Sequence, residues 1–226
     1  DGSHLVLPFL LHDSPWYNEL DPTVAVNGDN IVIAWQQDDG QFPNNLSVFY
    51  QVLSKSGELQ LESPAELPVL APDTEPDVNS WMPSITSSAD GFEIATASGA
   101  TGAQGFQVTV TSVDADGSVG EKAYLPDFQS EISQVYPTIG TDALSQRSYV
   151  AWTRTEVGED DRVMLAWRDD GAAEYEPAIE ALKGVSTANP MVGGGESVAF
   201  LAFDAAAGAG RDVYVAEAGW LDDPCR

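Results

Sequence analysis

Asp21-Pro22-Thr23-Val24, Met82-Pro83-Ser84-Ile85, Tyr136-Pro137-Thr138-Ile139 and Asn189-Pro190-Met191-Val192 are four copies of one pattern. Each has a proline, a small or β-branched residue in most copies, and then an aliphatic one. Their prolines stand 61, 54 and 53 residues apart. A regular interval of this size is the signature of a repeat architecture, and it outranks any local reading. Downstream of each proline come a turn and an apolar run. These runs are Ile31-Val32-Ile33-Ala34-Trp35, Phe92-Glu93-Ile94-Ala95-Thr96, Tyr149-Val150-Ala151-Trp152 and Val198-Ala199-Phe200-Leu201-Ala202-Phe203. All are short and rich in β-branched or aromatic residues, so they read as strands.

Outward from these runs, a polar or acidic loop leads to a third strand over residues 46–53, 106–113, 162–167 and 212–216. Three of the four run into a turn: Ser54-Lys55-Ser56-Gly57, Asp114-Ala115-Asp116-Gly117 and Arg168-Asp169-Asp170-Gly171. Glycine in the last place suits a turn ending in a left-handed residue. A weaker fourth strand falls near residues 59–70, 121–128 and 174–182. The best helical candidate, residues 177–183, is barely a turn and a half. Four antiparallel strands repeated at this spacing predict an all-β fold, a four-bladed β-propeller. It fills one domain over residues 1–226, with repeats starting near 21, 82, 136 and 189.

The fourth repeat lacks a fourth strand of its own, whereas the N-terminus carries a spare apolar segment, His4-Leu5-Val6-Leu7-Pro8-Phe9-Leu10-Leu11. Residues 4–11 are therefore expected to complete the last blade and close the ring, removing open sheet edges. Equivalent first-strand positions hold Ala25, Thr86, Gly140 and Gly193. All are small, as expected where inner strands crowd around an axis.

The repeat resembles the divergent bacterial β-propeller blades of secreted and cell-surface proteins. In its four-blade count the chain is similar to hemopexin-like domains and the seed albumins built on that plan. The resemblance covers nearly the whole chain and implies architecture, not chemistry.

Composition narrows the partners. The chain has 36 acidic residues against 9 basic ones, a formal net charge of −27. Such a surface repels phosphate backbones and anionic membranes, so nucleic acid is not an expected partner. No apolar run reaches the ~18 residues of a membrane span, so membrane insertion is not expected either. The charge either solvates the surface or attracts cationic ligands. Cys225 is the single cysteine, which rules out an intrachain disulfide. Gly2-Ser3-His4 reads as the remnant of a cloning site.

No segment matches the Asp-box of sialidase-like propellers. The nearest, Ser88-Ala89-Asp90-Gly91-Phe92, lacks its spacing and terminal tryptophan, and the six arginines are scattered. His12 is the sole histidine outside the remnant, too little for a zinc site or a convincing Ser-His-Asp triad. Asp114-Ala115-Asp116-Gly117-Ser118 resembles the start of a calcium loop but aligns with the turn Ser54-Lys55-Ser56-Gly57, so it reads as a turn. Asn45-Leu46-Ser47 is a glycosylation sequon.

The loops of one propeller face combine acids with aromatics: Trp16, Tyr17, Asp38, Asp39, Trp81, Glu159, Asp160 and Asp161. Such a surface suits a cation or a stacked sugar. The expectation is a non-enzymatic binding or scaffold module, secreted or at the cell surface, taking a protein, glycan or cationic ligand. It carries no cofactor, Ca2+ being the one ion considered. The alternative is a glycoside hydrolase or lyase using two loop carboxylates.

Overall fold

A computed structural model of the chain describes residue 11 and residues 18–38, 46–68, 78–100, 105–126, 132–169, 171–194, 199–207 and 210–217. Among these residues every regular element is a strand. Blade 1 contains β1 (Glu19–Asn27), β2 (Asn30–Asp38), β3 (Leu46–Ser54) and β4 (Ala65–Glu66). Blade 2 contains β5 (Val78–Ser87), β6 (Gly91–Ala100), β7 (Gln107–Asp114) and β8 (Val119–Tyr124). Blade 3 contains β9 (Ile132–Asp142), β10 (Arg147–Glu156), β11 (Arg162–Arg168) and β12 (Ile179–Glu180). Blade 4 contains β13 (Thr187–Gly194), β14 (Ala199–Ala207) and β15 (Gly210–Glu217). Each blade is an antiparallel meander in chain order. The all-β, four-bladed expectation is met. Residues 177–183 hold the short strand β12 instead of a helical turn.

The prolines do not begin the inner strands, as the sequence pattern suggested; they sit inside them, at a bulge. Leu20 pairs with Gln36 and Thr23 with Ala34, so Asp21 and Pro22 together oppose Trp35 alone. The same shift falls in β5, β9 and β13. Proline has no N–H for the ladder, and a bulge asks for none. The residue before each proline adopts a left-handed backbone, with φ of 51° at Asp21, 55° at Met82, 53° at Tyr136 and 51° at Asn189. For non-glycine residues this costs roughly 1–2 kcal/mol each, and the sheet on either side of the bulge holds them there.

Blades pack face to face. Val32, Val48 and Tyr50 of blade 1 meet Ile85, Phe92 and Ile94 of blade 2. Ala95, Val108 and Val110 of blade 2 meet Val150, Trp152 and Met164 of blade 3. Ala151, Val163 and Leu165 of blade 3 meet Val192, Leu201 and Phe203 of blade 4. Hydrogen bonds latch successive blades at the rim. Gln134 donates its N–H to Phe106 O (2.7 Å) and accepts from Val108 N through Oε1 (2.9 Å). Thr187 repeats both contacts one blade later, to Asp161 O (2.8 Å) and from Val163 N (2.6 Å). One interface carries charge as well. Buried Glu93 of blade 2 pairs with Arg168 of blade 3 and accepts from Ser148 Oγ at 2.5 Å. The Arg168 guanidinium lies 5.0 Å above the Tyr175 ring.

Most of the expected closing strand, residues 4–10, lies outside the described residues. Its last member, Leu11, lines a pocket with Leu20, Ile33 and Trp35 of blade 1.

Inner-strand crowding is uneven. A methyl group on Gly140 would lie 2.7 Å from Val192 Cγ1 and 3.1 Å from the Gly194 nitrogen, whereas one on Gly193 meets nothing within 4 Å. Gly140→Leu is expected to lower the unfolding free energy by ~1–3 kcal/mol. Gly193→Leu should stay within about 0.5 kcal/mol. Urea unfolding of both variants measures the difference, and equal costs would contradict this reading of the inner strands.

Candidate functional site: an axial funnel ringed by four bulges

The four bulges open into one funnel of about 610 Å³ on the axis of the fold, and Asp21, Met82, Tyr136 and Asn189 stand on its wall. The left-handed residue before each proline is thus where each blade presents a side chain to the axis. The prolines of blades 2 to 4 are buried behind that wall.

Two polar arrangements hold the wall. Gln36, buried in β2, donates Nε2 to Asp21 Oδ2 at 2.6 Å and accepts from Met82 N at 3.1 Å. One carboxamide therefore uses both its donor and its acceptor to fix the bulges of neighbouring blades. In blade 4, Asn189 Nδ2 donates to Asp204 Oδ2 at 2.7 Å, and Arg211 Nε donates to Asp204 Oδ1 at 2.5 Å. Partial desolvation of Asp204 opposes ionisation. The hydrogen bonds from Asn189 and Arg211 and the guanidinium charge outweigh it and hold the carboxyl below its ordinary value.

A carboxylate, a phenol, a carboxamide and a thioether ring the funnel. The set can exchange hydrogen bonds with hydroxyl groups, lay an aromatic ring against an apolar face, and place one carboxylate beside a bound ligand. The opposite mouth of the axis is a pocket of about 450 Å³ lined by Asn27, Ser87, Ser88, Thr141 and Gln146, none of them ionisable.

The residues singled out from the loops lie elsewhere. Asp38 is buried and takes Asn18 Nδ2 at 2.6 Å. Trp81 packs against Phe106 with ring centroids 4.3 Å apart. Glu159, Asp160 and Asp161 are exposed on the β10–β11 hairpin, where Glu159 pairs with Arg162 at 3.4 Å. Trp16, Tyr17 and Asp39 lie outside the described residues. In the calcium-like segment, Asp116 accepts from Ser118 N (2.9 Å) and Oγ (2.6 Å), which closes a turn. Among the described residues no group of three or more His, Cys, Asp or Glu is placed to hold a metal ion. Met82, Tyr136 and Asn189 do not stand out as site residues although they begin their repeats, because an X-Pro step reads as extended backbone. Their signal was the fourfold recurrence of that step.

No family model matches the sequence, and no characterised protein matches it by sequence. Solved structures do match in fold. The Trypanosoma rangeli sialidase in complex with sialic acid aligns at a TM-score of 0.59 and 11% identity over 88% of this chain. This chain spans only 36% of that sialidase. The endo-arabinase of Bacteroides thetaiotaomicron aligns at a TM-score of 0.54 and 12% identity, over 92% of this chain and 78% of the enzyme. The haemagglutinin-neuraminidase ectodomain of parainfluenza virus 5 aligns at 0.52 and 9% identity, over 94% of this chain and 58% of the ectodomain. At such identities the likeness is one of fold, and that fold is the β-propeller. It corrects the expectation of a non-enzymatic binding or scaffold module: the similar structures are mostly glycoside hydrolases, which favours the alternative hydrolase reading.

A carboxyl held below its ordinary pKa stabilises the folded chain fully above that value, and the contribution fades as pH falls through the depressed one. Asp204→Asn should therefore lower the melting temperature at neutral pH, with a deficit that shrinks below about 3.8, the ordinary value. Thermal melts across that range check it; a deficit independent of pH would contradict the ionic role of Asp204.

Proposed function

We propose that the chain is the propeller portion of a carboxylate-dependent glycoside hydrolase and that the axial funnel receives a sugar residue. The observation that carries this reading is Asp21, a carboxylate on the funnel wall aimed by Gln36, with Tyr136 and Asn189 on the same wall. Glycoside hydrolysis uses two carboxyl groups beside the scissile bond. In this reading Asp21 is one of them. Asn189, oriented by Asp204, holds a sugar hydroxyl. Tyr136, half of it open to solvent, offers a ring to the sugar's C–H face. The fold neighbours, a sialidase and an endo-arabinase, support a glycan as the substrate class. A polymeric glycan is met outside the cell, which agrees with a secreted or surface location for a bacterial propeller of this kind.

The test is hydrolysis of arabinan, arabino-oligosaccharides and sialosides, scored by reducing-end release. Asp21→Asn should reduce kcat about 10²–10⁴-fold while leaving the melting temperature and glycan affinity near those of the parent. Full activity in Asp21→Asn would remove Asp21 from the chemistry. No turnover and no glycan binding across the panel would remove the funnel as a sugar site.

A further inference from the structure

The funnel wall has two unlike halves. In each blade, one residue of the second strand pairs with the residue just before the bulge: Gln36, Ala97, Thr153 and Asp204. In blades 1 and 4 this residue is polar and reaches the wall, Gln36 holding Asp21 and Asp204 holding Asn189. In blade 2 it is Ala97, which has no polar group to offer, and the wall residue there is Met82. Blade 3 adds the Tyr136 ring beside it in the blade order. One half of the funnel therefore presents a carboxylate and a carboxamide, and the other a thioether and an aromatic face.

Charge is as uneven as polarity. No lysine, arginine or histidine lines the funnel. Of the nine lysines and arginines in the chain, all but Arg226 are among the described residues, and six of those eight are paired with carboxylates. Arg211 reaches the wall only through Asp204, which accepts from it and from Asn189. Outside the described residues the sequence holds Arg226, His4 and His12 as its only basic side chains. The funnel thus carries a carboxylate, and the chain has almost no cation left to set against a second one.

Like charges in one cavity repel more strongly as their separation falls. At an ionic strength of about 0.15 M the screening length is about 8 Å, so distant surface acids are masked while a carboxylate on the same wall is not. An unpaired charge facing a charged competitor is a standard device of discrimination. A sugar bearing a free amine meets the opposite problem, because its ammonium would pair with Asp21 and occupy the carboxylate that the reaction needs.

We propose that the funnel selects its sugar by charge: it takes an uncharged unit, it rejects sialic and uronic acids, and Met82 is the position that fixes the choice. The proposal rests on the reading of the funnel as a sugar site. The hydroxyl edge of the sugar meets Asn189 and Asp21, and its C–H face meets Met82 and Tyr136. Met82 is decisive because Gln36 ties its backbone to Asp21, donating to Asp21 Oδ2 at 2.6 Å and accepting from Met82 N at 3.1 Å. A cation at that position would stand near the carboxylate and leave Tyr136 and Asn189 untouched.

The test is calorimetric binding at neutral pH and about 0.15 M salt. The probes are arabinotriose, trigalacturonate with its methyl ester, and sialyllactose with its methyl ester, so that each acid and ester differ in charge alone. Arabinotriose should bind, and each free acid should bind at least about tenfold more weakly than its own ester. Asp21→Asn should shrink that gap to about threefold or less. Asp21→Asn combined with Met82→Arg should reverse it. Arginine keeps an unbranched side chain at the left-handed position and leaves the backbone bond to Gln36 in place. A free acid that binds the parent as tightly as its ester overturns the proposal, and so does the absence of binding by arabinotriose and both esters. A gap unchanged in Asp21→Asn overturns it too, since selection would then come from the surface at large. A folded double variant without reversal removes Met82 from the choice. The hydrolase reading fails separately: uncharged sugars that bind with the gap intact but are never cleaved sink that reading and leave charge selection standing. Cleavage of sialyllactose with arabinotriose untouched does the reverse. The comparison of acids with esters on the parent needs no variant, so it decides the proposal even if the double variant fails to fold.

Discussion

Everything in this molecule depends on covering the two faces of a four-stranded sheet. A lone meander of this size is marginal in water, since stability requires packing against another layer. Strand alternation gives each blade one set of side chains for the blade before it and one for the blade after. Val32, Ala34, Val48 and Tyr50 point forward from blade 1, while Phe92 and Ile94 point back from blade 2. A slip of one residue in any strand would turn its apolar set to the wrong neighbour, so face burial also fixes register. With register fixed, the inner strands converge and a funnel exists at all.

The bulge converts that scaffold into a site. Without it, the inner strand would alternate strictly between the two blade faces and offer the axis only its backbone edge. The extra residue opposite Trp35, and its counterparts in the other blades, redirects one side chain per blade. The four backbone conformations agree within a few degrees, yet the side chains are Asp, Met, Tyr and Asn. Backbone strain is conserved across the repeat while chemistry diverges. Function grafted on a common fold behaves this way, and the wall is unsymmetrical as a result: Asp21 shares it with a thioether, a phenol and a carboxamide, not three more carboxylates.

Strands, turns and blade order were legible in the sequence because each rests on a local rule. Gly57 and Gly117 do end their turns with positive φ, 85° and 87°. The third strand of blade 2, expected over residues 106–113, runs from Gln107 to Asp114. The proline pattern located all four inner strands but gave their starts wrongly, since a bulge is a relation between two strands and leaves no mark on one. The candidate site was missed for a related reason. Loop carboxylates such as Asp160 attract notice because they cluster in sequence, whereas Asp21, Tyr136 and Asn189 are brought together only by the ring. Asp38 looked like a loop acid, but β2 extends far enough to bury it.

Near-equivalent blades raise a problem of their own: if any face fits any other, blades can pair out of order. The blade 2–blade 3 interface breaks the equivalence. Where blades 1, 3 and 4 carry Val32, Tyr149 and Phe200, blade 2 carries Glu93, buried and facing blade 3. A buried carboxylate without a partner costs about 3–5 kcal/mol, so Glu93 tolerates only a neighbour that brings a cation. Blade 3 supplies Arg168, adds the Ser148 hydroxyl, and lays Tyr175 under the guanidinium. The corresponding surface of blade 2 offers no cation: Val113 stands opposite Phe92 there, where Arg168 stands opposite Ser148 in blade 3. The ion pair therefore contributes little net stability over an aliphatic contact. What it does is penalise every other neighbour for blade 2, and chain order follows from the penalty.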